Sequence, residues 1–212
     1  MSTPERPAPG AVALMLVSDR GRQGSRALPE RARDAAAAGV DWVQVRERGL
    51  SDAALVRLAA AVQAAVAGSA TRVLVSGRPD VAMAAGAAGV QLPEAGLPVR
   101  EVRRAFPALV LGASCHSLEA ARRAEDGGAD FVVLGPVFAT PGKDERRLGA
   151  ERLQEVARAL RVPVYAIGGI DASSAARAVA AGARGLAAIR LFLDPPEPLA
   201  SLVARLRAPG PS

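Results

Sequence analysis

Short runs of aliphatic residues alternate along the chain with longer, alanine-rich stretches in which polar residues recur at helical spacing. Short aliphatic or β-branched runs are typical of buried strands, and longer mixed stretches are typical of amphipathic helices. The pattern predicts eight strands, at residues 13–18, 42–46, 72–76, 89–92, 109–114, 131–135, 162–167 and 185–189. It predicts helices between them, including those at residues 29–39, 51–66, 117–127, 149–160 and 173–183.

Strands that alternate with helices form right-handed β-α-β units in a parallel sheet. Eight such units in 212 residues predict a single α/β domain, folded as a closed (β/α)8 TIM barrel rather than as an open sheet. The segments AAGVDWV, AAGAAGVQL, DGGADFVVL and AAGARGLAA repeat one turn from a helix-ending glycine into a new strand. We place the barrel at residues 11–207 and expect disordered tails at residues 1–10 and 208–212, which are rich in proline and glycine.

Composition narrows the classes of function. Half of the residues are hydrophobic but only 3% are aromatic, so we expect a core built mainly from alanine, valine and leucine. No apolar run reaches the roughly 18 residues that span a bilayer, and the first ten residues lack the apolar stretch of a signal peptide. The single cysteine, Cys115, excludes an internal disulfide and is typical of a reducing compartment. We therefore expect a cytoplasmic protein without a membrane partner.

The net charge of +6 does not indicate a nucleic-acid partner, because the arginines are interspersed with acidic residues and no basic run is interleaved with aromatic residues. Lys143 is the only lysine and His116 the only histidine. An ammonium group and a guanidinium group differ chemically, so a lone lysine in an arginine-rich chain marks a candidate site residue. The alternative is the chance survival of one surface lysine.

In TIM barrels the functional side chains lie at the C-terminal ends of the strands and in the loops that follow. AIGGID places Gly168 and Gly169 at the end of the seventh strand, where backbone N–H groups can approach an anion without hindrance from a Cβ atom. Ile189 and Arg190 follow the eighth strand, and loops seven and eight commonly bind phosphate in this fold. We predict a phosphate site at these four residues. A tight turn that requires glycine is the alternative.

Further strand ends carry polar residues, among them Ser76 and Gln91, which we expect to contact the substrate. QVRER alternates Gln44, Arg46 and Arg48 on one strand face, and a polar or acidic ligand explains the two cations better than burial in a core does.

The loop GPVFATPGK offers Thr140 and Lys143 to an anionic group, or is merely solvated. In ASCHS the neighbours Cys115 and His116 point to opposite faces, so we expect Cys115 to be a small buried hydrophobic residue. His116 shares the side of Ser114 and is either a site residue or a packing residue before a helix.

Four segments together resemble the thiamine phosphate synthase/TenI family over nearly the whole chain: VQVRERG (43–49), GVQLPE (89–94), LGASCHSLEAARRAEDGGADFVVLGPVFATPGK (111–143) and VYAIGGI (164–170). The family fold is a TIM barrel that binds a thiazole phosphate. The resemblance implies three groups of contacts: Gln44, Arg46 and Arg48 with the substrate; Ser114, Thr140 and Lys143 with the phosphate or pyrophosphate region; and Gly168, Gly169 and the backbone near Ile189 with the thiazole phosphate. The family usually has lysine at the position of Arg48 and serine at that of Arg190.

The chain departs from the synthase pattern at both metal-binding positions. Synthases bind magnesium pyrophosphate through an aspartate in an Asn-Asp pair after strand three and another aspartate after strand four. Ser76-Gly77 and Glu94-Ala95-Gly96 stand in those places. The resemblance therefore implies no metal site, and a magnesium cofactor only if the protein is a synthase.

The SGRPD and VQLP segments resemble the TenI branch, an isomerase that tautomerises a carboxythiazole phosphate with a general base and acid and without a metal. The catalytic histidine of that branch, after strand six, is replaced by Pro136. His116 or Glu47 would then be the base, with Lys143 stabilising negative charge.

Three hypotheses follow, all with a phosphorylated thiazole as the small-molecule partner. The first is a TenI-type tautomerase. The second is a thiamine phosphate synthase, a transferase that joins hydroxymethylpyrimidine pyrophosphate to thiazole phosphate and releases pyrophosphate. The third is a non-catalytic binder of thiamine precursors. The sequence leaves open whether the protein is a homo-oligomer.

Overall fold

The computed structural model describes residues 12–22, 26–139 and 147–208, and within them eight parallel strands close into one barrel. Each strand pairs with its neighbours in chain order, and the first pairs with the eighth. The predicted TIM barrel is confirmed. The predicted tails, apart from Ala208, lie outside the described residues. The strands are β1 (Ala13–Val17), β2 (Trp42–Val45), β3 (Arg72–Ser76), β4 (Gly89–Leu92), β5 (Val110–Cys115), β6 (Phe131–Leu134), β7 (Val164–Ile167) and β8 (Gly185–Ala188).

Helices surround the sheet, and serine caps start two of them. Ser51 and Ser117 each accept a hydrogen bond from a backbone N–H in the first turn of the helix that follows. No helix of the described residues is long and apolar enough to span a bilayer. A 3-10 turn covers Arg20–Arg22, and the α-helices are α1 (Leu28–Ala37), α2 (Asp52–Ala65), α3 (Pro79–Ala84), α4 (Val99–Ala105), α5 (Leu118–Asp126), α6 (Gly149–Ala159), α7 (Ala172–Ala180), α8 (Arg190–Leu193) and α9 (Leu199–Arg207).

The core has two layers, because successive strand residues face opposite sides of the sheet. The outer layer, between sheet and helices, consists mainly of alanine, valine and leucine, as expected. The inner layer differs from that expectation, since Trp42, Phe131 and Tyr165 stack inside the barrel. The ring centroid of Phe131 lies 6.0 Å from that of Trp42 and 4.8 Å from that of Tyr165. Three of the few aromatic residues therefore fill the space that the short aliphatic side chains leave.

Glycine makes room for these rings. A Cβ atom at Gly185 would lie 2.5 Å from the ring of Tyr165. We therefore expect Gly185→Ala to lower the free energy of unfolding by about 1–3 kcal/mol through overpacking, measured by urea denaturation. Gly21→Ala is the control, because a Cβ atom there meets only Asp19 Oδ1 at 3.5 Å. Equal stability of the two variants would contradict the prediction.

Candidate active site

One half of the barrel mouth is lined by polar side chains from neighbouring strands. Val43 and Val45 face the helices, so Gln44 between them faces the interior, where its Nε2 donates to Ser76 Oγ at 3.3 Å. Gln91, opposite Ser76 in the β3–β4 ladder, donates through Nε2 to Ser114 Oγ at 2.9 Å. The structure thus brings together four residues that the sequence marks as substrate contacts: Gln44, Ser76, Gln91 and Ser114.

Gln91 is 1% exposed, yet its Oε1 atom is buried without a hydrogen-bond donor among the described residues. Gly112 on the next strand leaves space for this amide, because a Cβ atom there would lie 2.1 Å from Gln91 Oε1. A buried acceptor without a donor destabilises a fold by about 1–3 kcal/mol. The packing of the barrel therefore does not by itself explain why a polar residue occupies this buried position.

The loop after β2 is fixed by Glu47 and Ser18. The fully buried Ser18 hydroxyl donates to Glu47 Oε1 at 2.6 Å and accepts the Arg46 backbone N–H at 2.8 Å. Because β2 ends at Val45, strand alternation does not continue through this loop. The prediction that Gln44, Arg46 and Arg48 share one strand face is wrong beyond Gln44. Arg46 is half-buried and Arg48 is exposed.

The other half of the mouth is built from backbone. Gly168 and Gly169 have φ angles of +93° and +62°, a conformation that favours glycine. Cβ atoms at these positions would lie 2.6 Å from Pro136 Cβ and 2.4 Å from Ala139 O. The segment after β6 packs directly on this turn, since the Phe138 N–H donates to Gly168 O at 3.0 Å. Glycine is required here by conformation and by close approach.

The start of α7 holds the glycine turn from the other side. The Asp171 carboxylate accepts the backbone N–H groups of Ser173 and Ser174, both at 2.8 Å. The Ser174 hydroxyl accepts the Asp171 N–H and donates to Gly169 O, also at 2.8 Å. These backbone and hydroxyl bonds, the Ser174 N–H bond first among them, lower the pKa of Asp171.

The end of β8 lies next to this turn, because Ile167 on β7 pairs with Ala187. Ile189 precedes α8, whose N-terminus has no side-chain cap. Helix N-terminal N–H groups carry partial positive charge and bind phosphate. The four residues predicted to bind phosphate are therefore neighbours, although the Arg190 side chain is exposed. We call Gly168, Gly169, Ile170 and Ile189 the backbone cradle.

His116 lies outside the polar half of the mouth. Its Nδ1 is 2.7 Å from Glu94 Oε2, which also accepts the His116 backbone N–H at 2.8 Å. The side chain is 63% exposed and lines a surface cavity with Pro93, Glu94, Ala95 and Arg123. Because β5 ends at Cys115, the alternation that predicts His116 beside Ser114 does not reach it.

Cys115 is 2% exposed, which confirms that it is a buried hydrophobic residue. Burial, aided by the charge of Glu94, raises its thiol pKa to about 12. Thr140 and Lys143 lie outside the described residues, so their roles stay predictions. The described residues on either side of 140–146 lie close together, because the Leu148 N–H donates to Pro136 O at 2.9 Å.

Comparison with known proteins agrees with this architecture. The family model described as thiamine monophosphate synthase matches residues 14–192. The chain belongs to the thiamine monophosphate synthase family. It resembles the thiamine-phosphate synthase of Methanoculleus marisnigri, with 41% identity over 83% of this chain and 85% of that protein. It also resembles the putative thiamine-phosphate synthase 2 of Aquifex aeolicus, with 38% identity over 85% of this chain and 97% of that protein. The solved thiamine phosphate pyrophosphorylase from Pyrococcus furiosus has a TM-score of 0.82 and 29% identity, over 93% of this chain and 95% of that one.

Because the chain belongs to the thiamine monophosphate synthase family, we tested whether its residues fit a magnesium ion. Beyond Ser76-Gly77, Arg78 bonds to Asp52 at 2.5 Å and to Asp80 at 2.7 and 2.9 Å, which lowers the pKa of both carboxyl groups. Within the described ranges, no three histidine, cysteine, aspartate or glutamate side chains gather as metal ligands. The described residues thus do not fit a protein-held magnesium ion.

Sequence reasoning missed Ser174, which contacts Gly169 of the cradle, and Asp171, which bonds to Ser174. The signal was present, since an aspartate followed three residues later by a serine at the start of an alanine-rich stretch indicates a helix cap. What the sequence could not show is that Ser174 also reaches back to Gly169 O.

Proposed function

We propose that this protein is a thiamine-phosphate synthase, a transferase that joins hydroxymethylpyrimidine pyrophosphate to thiazole phosphate and releases pyrophosphate. The observation that carries the proposal is the division of the mouth into two halves. A backbone cradle suits a phosphomonoester, and the polar half, with Gln44, Ser76, Gln91 and Ser114, suits a second, hydrogen-bonding substrate. Coupling two substrates needs two such regions. The thiamine-phosphate synthases among the relatives support the same reading.

In this proposal the cradle holds the thiazole phosphate with its ring nitrogen directed at the polar half, where the side-chain amides orient the pyrimidine. The thiazole nitrogen forms the new bond to the pyrimidine methylene carbon, and the carbon–oxygen bond to pyrophosphate breaks. The electron pair of that bond leaves with pyrophosphate, so no general base is needed. Arg46 at the rim, with Lys143 as predicted from the sequence, would offset the leaving charge.

Tautomerisation of a carboxythiazole phosphate is the second candidate, and it is favoured by Ser76-Gly77 and Glu94-Ala95-Gly96 at the aspartate positions of synthases. It needs a base. Pro136 supplies none, His116 lies with Glu94 at a surface cavity outside the polar half of the mouth, and Glu47 is bonded to Ser18. A non-catalytic binder of thiamine precursors is the third candidate, favoured by the same replacements together with an intact cradle.

One set of assays separates the three. Purified protein is mixed with both synthase substrates, in millimolar magnesium and in chelator, and thiamine phosphate is quantified by chromatography. In parallel, the carboxythiazole tautomer is followed for aromatisation. Coupling supports the synthase, and aromatisation alone supports the tautomerase and overturns our proposal. Tight thiazole phosphate binding by calorimetry without turnover supports the binder.

His116→Ala provides a further test. In the synthase proposal this substitution leaves kcat/KM within about threefold, because the ring contacts Glu94 away from the polar half of the mouth. If His116 is the base of a tautomerase, aromatisation falls by about 100-fold or more. Glu94→Gln is the matched control, since it removes the partner charge and keeps the imidazole.

A further inference from the structure

Ser174 is a buried polar residue next to the backbone cradle, 5% exposed. Its hydroxyl has a single proton, and Gly169 O is the nearer acceptor, at 2.8 Å against 3.4 Å for Asp171 O. The lone pairs of the hydroxyl face the Asp171 N–H, also at 2.8 Å. Both bonds act on the turn that leads out of β7, so Ser174 does more than cap α7.

A carbonyl and the N–H of the same trans peptide point in opposite directions. The Gly168 carbonyl is held by the Phe138 N–H, so the Gly169 N–H is directed away from the segment after β6. The Gly169 carbonyl is held by the Ser174 hydroxyl, so the Ile170 N–H is directed away from α7. Glycine turns are conformationally permissive, and without an external bond this second peptide can rotate.

We infer that Ser174 is a positioning residue for phosphate recognition: its hydroxyl turns the Gly169–Ile170 peptide so that the Ile170 N–H faces the bound anion. The inference rests on the proposed function only in taking the cradle as a phosphate site. In this inference the Ser174 side chain on α7 orients the Ile170 N–H, a hydrogen-bond donor four residues earlier in the chain.

The neighbouring residues provide matched controls. Ser173 also bonds to the Asp171 carboxylate through its hydroxyl, at 2.8 Å, but it is exposed. Asp171 caps α7 through its carboxylate, whereas its backbone N–H, which Ser174 accepts, survives substitution. Asp171→Ala therefore weakens the helix cap while the Ser174–Gly169 bond is retained.

The experiment titrates inorganic phosphate into the full chain, with calorimetry for Kd and thermal unfolding for stability. Ser174→Ala is expected to raise Kd about tenfold, the effect of one misdirected charge-assisted hydrogen bond. Asp171→Ala is expected to lower the unfolding temperature with Kd unchanged or decreased, because it removes a negative charge near the anion. Ser173→Ala is expected to change neither. Equal Kd values for wild type and Ser174→Ala overturn the inference, as does an equal rise in Kd for Asp171→Ala.

Amide NMR of the wild type keeps the test decisive if Ser174→Ala does not fold. Saturating phosphate is expected to shift the Ile170 amide resonance together with that of Gly169, and a response of Gly169 without Ile170 overturns the inference. A wild type that binds phosphate through these amides but forms no thiamine phosphate overturns the synthase proposal alone and supports this inference. A wild type that does not bind inorganic phosphate overturns this inference, and the coupling assay then decides the synthase proposal by itself.

Discussion

Gly169→Ala is expected to reduce kcat/KM for the thiazole phosphate by a factor on the order of 100, mostly through KM. An alanine at φ +62° costs about 1–2 kcal/mol of backbone strain. Its Cβ atom would also lie 2.4 Å from Ala139 O, so either the glycine turn or the segment after β6 must move. Movement of either displaces the N–H groups that we assign to phosphate. Steady-state kinetics with the phosphorylated thiazole varied would measure the effect.

Gly86→Ala is the control for this prediction. Gly86 has a similar φ of +66°, but a Cβ atom there meets nothing within 4 Å. The strain alone is therefore expected to lower stability by about 1–2 kcal/mol while kcat and KM stay unchanged. If Gly169→Ala behaves like Gly86→Ala, the cradle is not the phosphate site.

Gln91→Leu is expected to lower activity without lowering stability. Leucine removes the buried Oε1 atom that has no donor among the described residues, so the free energy of unfolding should stay constant or rise by about 1 kcal/mol. Turnover should fall by about 30-fold or more, because the substitution removes the amide that fixes Ser114 Oγ and that, in the synthase proposal, orients the second substrate. Urea denaturation and the coupling assay, performed on the same preparation, measure both quantities.

Thr71→Val is the matched control at the opposite end of the barrel. Thr71 is also buried, at 6% exposed, and its hydroxyl donates to Val40 O at 2.7 Å. Valine should therefore lower stability by about 1 kcal/mol and leave turnover unchanged. A loss of stability in Gln91→Leu as large as that in Thr71→Val would mean that Gln91 is a structural residue.

The sequence predicts the bounds of some strands correctly and those of others with an error of one or two residues. The bounds of β3 and β4 agree with the predicted ones, because a short aliphatic run between two turns marks both ends of its own strand. The observed β2 ends at Val45, one residue before its predicted end, so Arg46 does not continue the strand face of Gln44. The observed β5 extends one residue further than predicted, to Cys115, yet His116 lies beyond it and pairs with Glu94.

The sequence by itself determined the barrel and the glycine turn after β7, since hydrophobic period and glycine chemistry are local properties of the chain. The family followed from the resemblance of four sequence segments, which the family model bears out. Tertiary structure alone decided which distant side chains meet: Gln44 with Ser76, Gln91 with Ser114, and Ser174 with the carbonyl of Gly169. It also decided that His116 pairs with Glu94, 22 residues earlier in the chain. The physical reason is that strand order and stagger set these distances, and no local pattern in the chain encodes the stagger of a closed barrel.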